Sequence, residues 1–394
     1  MLTISDKSLC SGCHACVNVC SQHCIAMIND KEGFLYPQID QERCINCGIC
    51  EKTCPIKNRT TITKDEDKVK AYAAYSTNAD IRLSSSSGGV FTEIAVYVLN
   101  NQGVVFGASF DKDFCVKHIH IESIIDLPKL RTAKYVQSVI GNAYSEVKKF
   151  LDTGRMVLFT GTPCQIGGLY AYLGGDHEKL ITQDLICHGV PSPSVWHKYL
   201  EEVKQENKLE RIEHINFRAK PEGWKRYHVT ICGKNTNGEP VVLSELAGYN
   251  RFMKIFLLDL CLRPSCYNCS FKQMIRQSDI MLADFWGIEK VMPQLRDNRG
   301  ISLVLVFSVK GQRVFDEIKK NLVSYPVSLQ DGLAENSSWT TSVKQNVLRK
   351  TFMNTFEKIS FDAFFSKYYG PSTISKVRRR ARILINKLTS DIAR

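Results

Sequence analysis

Eight cysteines near the start of the chain stand in two identical runs. Cys10, Cys13, Cys16 and Cys20 form C-x2-C-x2-C-x3-C, and Cys44, Cys47, Cys50 and Cys54 repeat it, the second run followed by Pro55. The tight loop lets three thiolates reach three corners of one cubane, while the fourth cysteine, which starts the next turn, points to a second cluster. The ligation is therefore expected to cross. Cys10, Cys13, Cys16 and Cys54 would hold one 4Fe-4S cluster, and Cys44, Cys47, Cys50 and Cys20 the other. Such centres move one electron at a time. Zinc, the competing occupant, favours paired C-x2-C units in tetrahedral coordination rather than two repeated four-cysteine runs. Ser21 stands where a proline usually follows the first run and removes no ligand. Cys24 is surplus, and reads as a small buried side chain.

Seven cysteines remain, and Cys266 and Cys269 form a C-x-x-C within LRPSCYNCSFK. Alone this pair is a redox dithiol or half of a metal site, and the second reading requires two more ligands. Cys164 in GTPCQ, Cys187 in DLICHGVPSP and Cys261 are the candidates. Cys164 and Cys187 each follow a predicted strand. Cys115 and Cys232 lie in strand-like sequence and read as core residues. His188, beside Cys187, is a candidate proton donor with a packed histidine as its competing reading.

A different chemistry is suggested by RLSSSSGGVFT at residues 82–92, where four serines and two glycines precede an apolar helix. Glycines allow close backbone approach, serines carry hydroxyls, and a helix start presents free N–H groups to a pyrophosphate. An ordinary serine-capped loop has the same composition. Residues 161–165 likewise open a helix after a strand. Asp284 in ADFWG reads as a helix cap, and Lys134 in TAKYVQS as a solvated charge.

The elements that position these residues fall into sections. Residues 1–60 are cysteine-dense and short of periodic segments, as expected where metal ligation substitutes for a core. Residues 61–70 close a polar, alternately charged stretch that reads as an exposed linker. Beyond it come an expected helix at 89–101, a strand at 104–110, a helix at 142–151, a strand at 156–160 and a helix from Pro163. A strand at 180–186, a helix at 194–206, short strands at 227–231 and 241–244, a strand at 301–307 and a helix at 312–321 follow. The pattern predicts an α/β to α+β fold with a mixed sheet behind a small cluster-binding domain. It divides into residues 71–155, with the candidate flavin loop, 156–330, with the later cysteines, and a basic helical region at 331–394. Within the last, SKVRRRARILINKL at 375–388 reads as an amphipathic helical end, with contact to a membrane surface or an anionic partner as the alternative.

The 394 residues carry sixteen cysteines and a formal charge of +12. Size and an amino terminus without an apolar signal region argue against a disulfide scaffold and for reduced thiols in the cytoplasm. No apolar run approaches the roughly 18 residues needed to span a bilayer. The positive charge invites a nucleic-acid reading, but three 4Fe-4S clusters with their thiolates would lower it by ~6, and a bound dinucleotide by roughly two more. No nucleic-acid partner is expected.

Taken together, SSGGVFTEIA, TAKYVQS, VLFTGTPCQIGGL, DLICHGVPSP, LRPSCYNCSFK and SDIMLADFWG resemble the coenzyme F420 hydrogenase/dehydrogenase beta-subunit family, preceded by a two-cluster ferredoxin module. The resemblance spans roughly residues 5–310. It implies FAD, a third 4Fe-4S cluster, and electron passage between one-electron centres and a hydride carrier. Cys164, Cys187, Cys266 and Cys269 match the family's cluster cysteines, with Cys261 as runner-up. Ser87, Gly88, Gly89 and Thr92 would lie at the flavin, and Lys134, Gln137 and Asp284 are further candidates carried over by motif. The wording of LRPSCYNCSFK and ADFWGI resembles a bacterial branch associated with polysaccharide biosynthesis. The implied protein is an FAD-dependent iron–sulfur oxidoreductase that exchanges electrons with a ferredoxin-like donor and a nicotinamide or deazaflavin carrier or a substrate. The alternative is an electron-transfer subunit that has no substrate site of its own and serves a catalytic partner.

Overall fold

The computed structural model describes residues 6–58, 69–274 and 276–370. The basic segment at 375–388 and nearly all of the expected linker lie outside them, although Lys70 opens a strand. Near the amino terminus a two-stranded antiparallel hairpin, β1 (Ile25–Asn29) and β2 (Leu35–Ile39), lies between two short helices, Ala15–Val19 and Ile49–Lys52.

The next strands are β3 (Lys70–Ser76), β4 (Val104–Phe110), β5 (Val116–Ile121), β6 (Val157–Thr160) and β7 (Leu180–Leu185). They are followed by β8 (Leu209–Ala219), β9 (His228–Asn235), β10 (Pro240–Leu246), β11 (Ile280–Asp284), β12 (Ser302–Val306) and β13 (Leu322–Val327). Eight of these form one mixed sheet in the order β13-β3-β12-β11-β7-β6-β4-β5. Its centre, β4-β6-β7-β11, is parallel, and antiparallel pairs close both sides. Strands covered on both faces lose the alternation of half-buried strands, which is why VLFT and SLVLV read as short continuous apolar runs. β8, β9 and β10 form a separate antiparallel sheet. The mixed sheet expected from the alternating pattern is therefore present, and it takes strands from both 71–155 and 156–330.

The parallel strands run the same way, so their carboxyl ends share one edge, the place where open α/β sheets bind ligands. Thr160 ends β6 just before Cys164, Leu185 ends β7 just before Cys187, and Asp284 ends β11. Asp284 is thus a strand end and not the expected helix cap. The helix Pro163–Leu173 starts at Thr162 with a reciprocal capping box to Gln165 and proline in its first turn, an arrangement that satisfies otherwise orphaned N–H groups and aims the next residue, Cys164.

The cysteine-rich module is docked on this body. Ala15 is fully buried in the same core as Val104, Phe106 and Tyr144, and Asn18 Nδ2 donates to the carbonyl of Gly141 at 2.8 Å. At the hairpin turn, Glu32 pairs with Arg349 at 2.6 Å and its carbonyl accepts the Ser192 hydroxyl. Phe34 is fully buried beside them. A module tethered only through its linker would show none of these contacts. No helix among the described residues is long and apolar enough to cross a membrane.

Candidate functional site

Within the module, the thiol of Cys13 is pushed up to about 12, first by burial and then by the negative charge of Cys10 and Cys54. Cys16 is shifted the same way by burial and by Cys13, Cys10, Cys54 and Cys50. Cys54, from the second run, thus interacts with Cys13 and Cys16 of the first, and Cys50 with Cys16. On the other side of the module, the sulfur of Cys20 lies 3.4 Å from that of Cys24, and Cys24 also interacts with Cys44. Cys24 is buried, and Cys47 is exposed.

Four cysteines from distant parts of the chain meet at the sheet edge. Cys164, Cys187, Cys266 and Cys269 line one cavity of about 40 Å³, together with Ser8, Ser11 and Ile56 from the module. Burial raises the Cys187 thiol to about 12, with Cys266 and Cys269 adding to the shift, and raises Cys266 to about 11. Cys164 is driven up by burial and by Cys269, Cys187 and Cys266. The Thr162 hydroxyl lies 3.1 Å from the Cys164 sulfur, and the Val190 N–H donates to the Cys266 sulfur at 3.4 Å. Lys272 and Arg276 supply positive charge nearby.

Buried thiols this crowded become thiolates only against strong positive charge, and an all-cysteine set of four is a donor set that iron–sulfur clusters share with structural zinc. Among the described residues no three Cys, His, Asp or Glu groups converge closely enough to hold a single metal ion. Cys261 is elsewhere, fully buried in the apolar core around Trp196 and Phe252.

Next to this cavity lies one of about 580 Å³, within the range of cofactor sites. Residues 187–190 line both. Of the loop residues expected at a flavin, Ser87 and Gly89 line the larger cavity, as do Lys134 and Asp284. Gly89, at φ +90°, caps the helix Val90–Asn100. Gly88 packs away from the space, where a Cβ would strike the Ala74 carbonyl and Ser302. Thr92 is buried, its hydroxyl accepting from Arg131 Nε at 3.2 Å. Gln137 is turned to the module, donating to the Ser11 carbonyl at 3.1 Å and accepting from Arg263 at 3.0 Å. Spacing in TAKYVQS does not reveal that direction.

The serines are less available than their number suggests. Ser85 donates to the Ile81 carbonyl and Ser87 to that of Ile301, while Ser86 accepts the Ala133 N–H. Lys134 is no solvated charge. Burial pulls its pKa down to about 7, yet its ammonium donates to the carbonyls of Lys129, Arg131 and Thr132, and three acceptors favour the three-donor charged form. Its role in the fold is to tie that loop.

Several lining residues were not foreseen. Arg218 is buried, paired with Asp284 at 2.8 Å, and donates to Tyr135 and the Ser86 carbonyl. His118 links Thr160 to Ser138. Because a carbonyl only accepts, His118 Nε2 carries the proton and Nδ1 accepts from Ser138; burial lowers its pKa to about 4 and keeps the ring neutral. Gln165 then donates to Ser138, so this chain sets the start of the helix bearing Cys164. An alternating-strand pattern could have marked His118 as inward-facing; nothing local marks Arg218. His188, on the shared wall, is bonded to Asp259 at 2.7 Å.

The chain matches two family models. Residues 9–58 match the 4Fe-4S dicluster domain, and residues 154–327 match the family described as the C terminus of the coenzyme F420 hydrogenase/dehydrogenase beta subunit. An uncharacterized protein of Methanocaldococcus jannaschii is 26% identical over 209 residues, 44% of this chain and 56% of that protein. Pyruvate synthase subunit PorD of Methanothermobacter marburgensis is 40% identical over 52 residues, 13% of this chain and 54% of that one. The chain thus spans about half the length of each of these two relatives. An uncharacterized ferredoxin of M. jannaschii is 36% identical over 72 residues, 17% of this chain and 92% of the ferredoxin. Among solved structures, a chain of the F420-reducing [NiFe] hydrogenase complex from Methanosarcina barkeri aligns with a TM-score of 0.43 and 15% identity, over 78% of this chain and 95% of that one.

Proposed function

With residues 9–58 belonging to the ferredoxin-type 4Fe-4S dicluster domains and residues 154–327 related to the beta-subunit family as premise, we propose that the chain is an FAD-dependent iron–sulfur oxidoreductase. It moves electrons between a ferredoxin-like one-electron donor and a nicotinamide or deazaflavin carrier or a substrate. The observation that carries this reading is the wall at residues 187–190, shared by the four-cysteine cavity and the larger one.

Each group has residues suited to hold it. Cys10, Cys13, Cys16 and Cys54 would hold the module's inner cluster, Cys44, Cys47, Cys50 and Cys20 its outer one, and Cys164, Cys187, Cys266 and Cys269 the third. A flavin would lie in the larger cavity, where Gly89 opens a helix start and Arg131 and Lys134 bring positive charge that suits a pyrophosphate. When bound, clusters carry single electrons and a flavin joins one-electron to two-electron traffic. The chain's own contribution is positional. The His118–Ser138–Gln165 links aim the Cys164 helix, Lys134 orders the loop at 129–134, and the buried Arg218–Asp284 pair shapes the far side of the cavity. His188, held by Asp259, is the group on the shared wall best placed to carry a proton.

The reduced-thiol chemistry supports a cytoplasmic setting. What supports a role beside polysaccharide-assembling enzymes is the wording of the two motifs at 262–272 and 283–288. Anaerobic purification or reconstitution, followed by iron and flavin quantitation and EPR after reduction, tests the proposal. Near twelve irons and one FAD per chain are expected; about eight irons and no flavin would sink it. The partner-serving alternative is separated by turnover, since alone it reduces artificial dyes and turns over no metabolite.

A further inference from the structure

We propose that Arg263 is a positioning residue that grips the ligand loop at 10–13 and raises the reduction potential of the cluster held there, linking it to the cysteine set around Cys266. The second part rests on the three-cluster reading above. Arg263 is fully buried, and four of its five guanidinium N–H groups meet acceptors. Nε donates to the Cys10 carbonyl at 2.7 Å, one Nη donates to the Leu35 carbonyl at 2.9 Å and reaches the Cys10 sulfur at 3.6 Å, and the other donates to Gln137 at 3.0 Å. Gln137 in turn donates to the Ser11 carbonyl. The cation lies over the Tyr36 ring at 4.2 Å.

A buried charge is stable when it meets an opposite one. These acceptors are two carbonyls and an amide, all neutral; the one group that becomes an anion is the Cys10 sulfur, as a cluster ligand. The counter-ion of Arg263 is therefore the cluster itself. One-electron reduction takes a 4Fe-4S core with four thiolates from a charge of about −2 to about −3, and a fixed adjacent cation favours the more negative state. Burial keeps salt from screening it.

The backbone of the same residue belongs to the other cysteine set. The Arg263 N–H donates to the Val190 carbonyl at 3.0 Å, and its carbonyl accepts the Cys266 N–H at 2.9 Å. The Val190 N–H donates to the Cys266 sulfur. One residue thus holds Cys10 with its side chain and Cys266 with its main chain, and fixes the separation of the two sites.

The test is an EPR-monitored redox titration of the full chain, reconstituted anaerobically, with dithionite supplying the electrons. Arg263→Met is expected to keep its iron and to shift one of the two module signals at least tenfold toward the oxidised form, 59 mV lower for a one-electron couple, with the other module signal unmoved. Arg263→Lys keeps the charge without the fork and is expected to shift that signal less. Unmoved potentials in R263M, equal shifts in both variants, or loss of module iron from both would overturn the proposal, the last because it makes Arg263 a folding residue. A wild-type chain with only eight irons would instead remove the third cluster, and leave the effect on the module signal still measurable.

Discussion

Gly168 offers a test in which two effects of known size oppose each other. It lies in the helix Pro163–Leu173, one turn after Cys164. Alanine in place of a mid-helix glycine ordinarily gains about 1 kcal/mol. Here a Cβ would stand 2.7 Å from the Tyr144 hydroxyl, 2.9 Å from Cys13 Cβ and 3.1 Å from the Cys13 sulfur. Tyr144 is fully buried and donates to the Gln165 carbonyl at 2.7 Å, so moving it breaks a buried hydrogen bond at a cost of about 1–3 kcal/mol. Overpacking against Cys13, which leads the module's buried helix, costs about 1–3 kcal/mol more. The clash wins, with a net loss of about 3 kcal/mol, on the order of a hundredfold in the opening equilibrium. Hydrogen exchange read by mass spectrometry on the anaerobic holoprotein should show Gly168→Ala speeding exchange by that factor in peptides covering residues 10–20 and 141–152. Unchanged or slower exchange would mean that helix propensity decides the outcome, and that the module does not rest on this helix.

Three other outcomes follow from the geometry. Cys266→Ser should lower iron from about twelve to about eight per chain while both module signals persist in EPR; an unchanged count would remove Cys266 from the third site. His118, with a folded pKa near 4 against 6.5 when free, binds its proton more readily unfolded, so stability is full above about 6.5 and falls as pH drops toward 4. The loss is about 3 kcal/mol. His118→Asn should flatten the melting temperature across that window, and a curve as steep as wild type would refute the assignment. Glu32→Ala strips Arg349 of its carboxylate at a mostly buried contact and should cost about 2–3 kcal/mol, seen as faster exchange in residues 25–39; no change would make the hairpin contact incidental.

What the chain's own pattern disclosed was chemistry that is local in sequence. The two cysteine runs carry their meaning in spacing because a tight loop alone presents three thiolates to one cubane. Three strands of the parallel centre, β4, β6 and β7, were legible in their apolar runs and the helices between them, while β11 was not, and Thr162, Pro163 and Gln165 announce a helix start in four residues. Shorter or half-exposed pieces were not legible. β3 begins at Lys70, the last position of the expected linker, and Asp284 ends a strand where a cap was expected, because both depend on which neighbours cover them.

The candidate flavin residues show the same boundary. Ser87, Gly89, Lys134 and Asp284 share one cavity, whereas Gly88 and Thr92 pack behind the loop and Gln137 faces the module. Residues a few positions apart point in opposite directions, and the direction is settled by partners up to 126 residues away, as for Gln137 and Ser11. Arg218, Arg263 and Arg349 gave no local sign of importance, since an arginine acquires its role only when folding buries it and leaves particular acceptors in reach. Cysteine spacing could therefore single out the atoms suited to hold iron. Where the module sits, which cavity adjoins the third cysteine set and which cation faces Cys10 were decided by the tertiary structure, because each depends on long-range packing and on charge removed from water.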